Sequence, residues 1–119
     1  MLNLILIGLG GAFGAMSRFG VNIFFQKYLL ISTIYGTLFV NILGCFLIGL
    51  ILGISLPEKN SSYYLFIIGF LGSFTTMSAF THQAVLLFNS NLINSLSYIM
   101  LTILLSLMAT YAGVLISKQ

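Results

Sequence analysis

The sequence predicts an all-α integral membrane protein with four transmembrane helices, the third of them broken, assembling as an antiparallel dimer of dual topology. Three observations predict it. Hydrophobic residues make up 60% of the 119-residue chain and charged residues only 4%. The apolar residues fall into four stretches of the roughly 20 residues needed to cross a hydrocarbon core of about 30 Å. One of those stretches, the third, carries a dense run of small and polar residues at membrane depth. A water-soluble domain keeps roughly a quarter of its residues charged, so the solvent for this surface is lipid. The expected location is the plasma (inner) membrane, as a multi-pass protein.

The first span is read as residues 2–25. It has no basic leader and carries Arg18 late, so it reads as a retained helix, not a secretory leader. Gly10, Gly11, Gly14 and Ala15 lie along it, and small residues let lipid-embedded helices approach closely. Gln26 and Lys27 begin a short connection. The second span is read as residues 33–56, with Gly36, Gly44, Gly49 and Gly53 along it, and Pro57 is expected to stop it. The third span covers residues 63–88. Asn89, Ser90 and Asn91 then turn the chain into a fourth span, residues 92–116. Every connection is too short to be a domain, so residues 1–119 read as one four-helix membrane domain.

Orientation follows from the basic residues near the span ends. Lys59 and Lys118 fall on one face and Arg18 and Lys27 on the other, and acids count little in this rule. The balance leaves no preferred orientation. Two copies inserted oppositely can then pair about a twofold axis in the membrane plane, which makes an inverted second copy the expected partner beside the lipid bilayer. The basic residues never cluster, so no nucleic acid is expected as a partner. Cys45 is the one cysteine; it lies in an apolar run and reads as a small buried residue, with neither a disulfide nor a cysteine metal site possible within one chain.

Polar groups inside apolar spans are costly and therefore functional candidates. Glu58 is the only acidic residue and falls in a loop. A proton-driven four-helix multidrug exporter needs a membrane carboxylate, so that reading is disfavoured. Paired acids, a nucleophile with a nearby base and a credible metal cluster are all missing, so an enzyme is not expected. In the third span, Gly69, Gly72, Ser73, Thr75, Thr76, Ser78, Thr81, His82 and Gln83 lie close together. Glycine beside hydroxyl residues permits a break, and freed carbonyls around Gly72 to Thr76 could bind a small cation. The competing reading is an unbroken helix whose hydroxyls bond back to the preceding turn.

Beyond the cluster, Met77, Phe80 and Ala84 follow a helical spacing, with Ser78 and Thr81 beside them. Such a stripe is usually packing. An aromatic ring is positive at its edge, however, so Phe80 beside the Ser78 and Thr81 hydroxyls could line a path for a small anion. Asn41, in the middle of the second span, must find a partner for its amide: another helix, or an anion. Tyr98, Thr102, Ser106 and Thr110 recur every fourth residue and draw a polar line down the last span, a wetted or partner-facing track. Arg18 can snorkel to the headgroups or sit in a vestibule that attracts anions. His82 has no second ligand and is given no role.

Three ordered segments carry a resemblance. Gly10-Gly11-Ala12-Phe13-Gly14-Ala15-Met16-Ser17-Arg18-Phe19 resembles the GGxxGAxxR(Y/F) opening of the Fluc/CrcB family of fluoride channels. Residues Gly36 to Gly44 resemble its GTLxVNxxG segment, and Gly69 to Phe80 its GFxGxxTTFSTF segment. The resemblance implies passive export of fluoride by an antiparallel dimer with two narrow anion paths and a structural Na+ ion on the twofold axis. It implies that Asn41 coordinates fluoride, that Phe80 is one of the paired pore phenylalanines, and that Ser78 and Thr81 belong to a polar track. Arg18 would sit at a vestibule, the Gly72 and Thr75 carbonyls would hold the sodium, and Tyr98 would be the tyrosine of the last helix. Met77 and Ala79 depart from the pattern, which has phenylalanine and threonine there. Methionine is a flexible filler without a positive ring edge. A non-conducting or half-active subunit of a heterodimer, paired with a related chain, is therefore the alternative, although the balanced charges favour a homodimer.

Overall fold

The computed structural model describes residues 1–30, 32–54 and 58–118. Four helices among them are long and apolar enough to cross a membrane, and the protein is a multi-pass membrane protein. Helix α1 is Leu2–Lys27 and α2 is Thr33–Ile54. The third span starts as a π-helix, Tyr63–Leu71, runs into the short α3, Gly72–Phe74, breaks, and resumes as α4, Met77–Ser90. Helix α5 is Leu92–Lys118. Spans one, three and four therefore run about two residues longer than the sequence predicts. The end of the second span at residues 55–56 and the stop expected at Pro57 lie outside the described residues.

The helix starts are fixed by side chains that accept the first orphan backbone N–H groups. Asn60 Oδ1 accepts from the Tyr63 N–H at 3.1 Å. Asn91 Oδ1 accepts from Ile93 at 2.9 Å and Asn94 at 3.2 Å, so the turn into α5 is also its cap. After α1, the Tyr28 N–H closes the last turn on the Phe24 carbonyl at 3.0 Å, and Leu30 takes a left-handed φ of 56° as the chain turns back.

Packing pairs the spans. Helix α2 runs along α5, the π-helix runs along α1, and α4 rests against α5. Both long contacts are made backbone to backbone at glycines. A Cβ on Gly10 or Gly14 would strike the carbonyls of Leu65 and Phe70. A Cβ on Gly49 would strike the Thr110 carbonyl, and one on Gly113 the Phe46 carbonyl. Without a hydrophobic drive between helices in lipid, such close approach supplies the dispersion contact that holds them. The Thr110 hydroxyl lies 3.1 Å from both the Cys45 and the Ser106 carbonyls, tying α5 to α2 at the same level.

Few apolar side chains are buried within the chain: Val40, Leu71, Phe74, Phe80, Ala84 and Tyr98. They gather around the break and between α2, α4 and α5. Phe13, Phe19, Phe66, Phe88 and Leu107 point outward, as lipid-facing residues do. The longest dimension, 45 Å, matches the roughly 40–45 Å of a bilayer with its headgroups.

Candidate functional site at the break

The break occupies Thr75 and Thr76, both extended, with φ/ψ of −79/155° and −149/120°. In hydrocarbon each backbone group released by such a break costs several kcal/mol unless it finds a partner, and side chains from three spans supply the partners. The Leu71 carbonyl accepts from the Thr75 N–H at 3.1 Å and the Thr75 hydroxyl at 3.0 Å. The Ser73 carbonyl accepts from Arg18 Nε at 3.1 Å. Asn41 Oδ1 accepts from the Thr76 N–H at 2.7 Å, while Asn41 Nδ2 donates to the Thr76 carbonyl at 3.0 Å. Thr76 Oγ1 caps α4 by accepting from the Ala79 N–H at 3.2 Å.

Those bonds leave particular carbonyls over. In a continuous helix the Thr76 N–H would bond to the Gly72 carbonyl and the Ala79 N–H to the Thr75 carbonyl. Both donors are spent on side chains, and no hydrogen bond to the Gly72 or Thr75 carbonyl is made among the described residues. Unwound carbonyls at a half-helix end are hard oxygen ligands suited to Na+. The described residues contain no cluster of three or more His, Cys, Asp or Glu side chains able to hold a metal.

On the other side of the break lies a cleft of about 270 Å³. Asn41 and Cys45 of α2 form one wall and Thr102, Ile103 and Ser106 of α5 another; Thr75, Thr76, Met77 and Phe80 complete it. Asn41 and Cys45, four apart, share a helix face. Thr102 is 5% exposed and its hydroxyl finds no partner among the described residues. Phe80 is buried and meets the Tyr98 ring edge-on, with centroids 5.3 Å apart at 61°. The N-terminus of α4 borders the cleft at Thr76 and Met77, and a helix N-terminus carries roughly +0.5 of an elementary charge. The lining residues include no acid.

The structure thus brings Asn41, Met77 and Phe80 together at one cleft, beside Thr75. Tyr98 stands behind Phe80 and donates its hydroxyl to Gln83 Oε1 at 3.0 Å. Ser78 and Thr81 sit on the exposed face of α4, with the Thr81 hydroxyl donating to the Ser78 carbonyl at 3.1 Å. Arg18 reaches inward to the break from α1, Gly72 is exposed at the end of the π-helix, and His82 is exposed on α4. Thr102 and Ser106, members of the polar line expected to be a wetted or partner-facing track, line the cleft. Thr76 is the cap that the reading missed; its signal was a threonine three residues before the Ala79 N–H it accepts from.

Residues 5–114 match the model of the family described as "CrcB-like protein, Camphor Resistance (CrcB)". The chain is 37% identical over 119 residues to the fluoride-specific ion channel FluC of Haemophilus ducreyi, covering 99% of this chain and 94% of that protein. It is 40% identical over 117 residues to the fluoride-specific ion channel FluC of Dehalococcoides mccartyi, covering 95% and 90%. It is 37% identical over 123 residues to the protein of that name from Flavobacterium psychrophilum, covering 100% and 99%.

Proposed function

The chain belongs to the CrcB-like family, and we propose that it is a fluoride-specific ion channel of the plasma (inner) membrane, which two oppositely inserted copies complete. Export is passive, down the ion's own gradient. The observation that carries this reading is the cleft: a half-open space bounded by uncharged donors and a helix N-terminus, in a chain whose one acidic residue, Glu58, is exposed outside the spans.

A small anion entering hydrocarbon must exchange its water for fixed donors that need no reorganisation. Asn41 spends one amide hydrogen on the Thr76 carbonyl and keeps a second for the ion. The Thr102 and Ser106 hydroxyls offer further donors along α5, and the rim of Phe80 adds partial positive charge. No lining residue carries a full positive charge that would trap the ion. The Ser78 and Thr81 hydroxyls, on the exposed face of α4, are assigned to the part of the track that the partner copy covers. Tyr98 holds the Phe80 ring, and Arg18 lies at the vestibule end of the same break.

The inverted partner is supported by the weak charge bias: with Arg18 engaged at the break, Lys27 on one face stands against Lys59 and Lys118 on the other. Two anion paths, one per copy, follow from a twofold axis. The Gly72 and Thr75 carbonyls fit a structural sodium ion at the dimer centre, since neither accepts a hydrogen bond among the described residues and two copies would offer four such oxygens. An ion held by those carbonyls would supply a fixed positive charge beside the break.

The test is efflux from liposomes that contain only this purified chain. Fluoride leaves quickly and chloride does not, and Asn41→Asp or Phe80→Ile suppresses the flux. Equal release of the two ions overturns the selectivity. A second reading, a half-active subunit needing a related chain, is favoured by Met77, 71% exposed where the family pattern has phenylalanine; liposomes that release no fluoride until a second family member is added would select it.

A further inference from the structure

The geometry points to Asn41 and Thr76 as positioning residues for the cation site, acting by withholding two backbone hydrogens from it. This rests on the proposed sodium site and adds what makes that site available.

A carbonyl inside a helix is a poor ion ligand because it already accepts an N–H. A continuous helix through the break needs, among its bonds, the Thr76 N–H on the Gly72 carbonyl and the Ala79 N–H on the Thr75 carbonyl. Each of those hydrogens is captured by one side-chain oxygen, Asn41 Oδ1 at 2.7 Å and Thr76 Oγ1 at 3.2 Å. The two carbonyls so released are the two assigned to the ion. Two neighbouring carbonyls are taken by other side chains: Ser73 accepts from Arg18, and Thr76 from the other end of the Asn41 amide. Asn41 thus serves both sides of the break, presenting a donor to the cleft while its oxygen keeps Gly72 free. The Thr76 hydroxyl accepts the Ala79 N–H, with the Ser78 hydroxyl 3.3 Å away as a second neighbour.

The test separates capture of the hydrogen from bulk. Thr76→Val keeps the shape and removes the acceptor, so the Ala79 N–H turns to the Thr75 carbonyl, whereas Thr76→Ser keeps the acceptor. The readout is the rise in thermal unfolding temperature of the detergent-solubilised full chain as Na+ replaces N-methylglucamine at constant ionic strength, which needs no flux. The expected result is a saturable rise in the parent and in Thr76→Ser, and a concentration for half-effect at least tenfold higher in Thr76→Val. Thr76→Ala repeats the comparison if the valine variant does not fold. A parent response to Na+ that Thr76→Val and Thr76→Ala both retain unchanged overturns the positioning role and leaves the cation site standing. A parent with no response to Na+ overturns the cation site, and this inference with it.

Discussion

At the level of single residues, two side chains make opposite demands on the same cleft. Asn41 is 8% exposed and spends both ends of its amide on Thr76. Asn41→Leu leaves a buried N–H and a buried C=O without partners, at about 1–3 kcal/mol each. The expected outcome is a lower unfolding temperature together with lost flux. Thr102 is the reverse case, for its hydroxyl is buried and bonded to nothing among the described residues. Thr102→Val removes an unpaid desolvation cost of about 1–3 kcal/mol, so unfolding temperature is expected to hold or rise while fluoride efflux falls. A variant that loses stability and flux in parallel would show the hydroxyl to be structural. The sequence flagged both residues as polar groups in hydrocarbon, and for Asn41 it left a helix partner and an anion equally open. The choice depended on where Thr76 lies, thirty-five residues away, which local pattern does not contain.

At the level of elements, the glycine contacts set how closely spans can lie. Gly49→Ala pushes a methyl group into the Thr110 backbone, where no side chain can swing aside. Such overpacking costs typically about 1–3 kcal/mol. Gly8 has nothing within 4 Å of a Cβ, so Gly8→Ala is expected to leave the unfolding temperature unchanged or slightly raised, since alanine is the better helix former. Comparing the two unfolding temperatures checks the packing directly. The four spans were legible because length and hydropathy alone define a membrane crossing. The break was legible from Gly72 and the hydroxyls around it, since irregular backbone needs local partners. The π-helical winding of Tyr63–Leu71 was not, because its residues, YYLFIIGFL, are ordinary helix material. Their winding accompanies close contact with Gly10 and Gly14, and only the assembled pair of spans contains that information.

At the level of the whole molecule, the weak charge bias makes orientation a decision that a few residues can tip. Ser61→Lys with Ser62→Lys adds two positive charges to the face of Lys59 and Lys118; Gln26→Lys with Asn89→Lys adds two to the other. Each double variant alone is expected to insert one way and lose efflux, and mixing the two is expected to restore it. Full efflux from either alone would count against the inverted pair. The break itself implies an order of events at the ribosome. Arg18 and Asn41, which hold it from outside, both precede it in the chain. Both are synthesised before residues 63–90, and the remaining partners, Thr75 and Thr76, lie within that segment, so every group that the kink needs exists by the time the third span is complete.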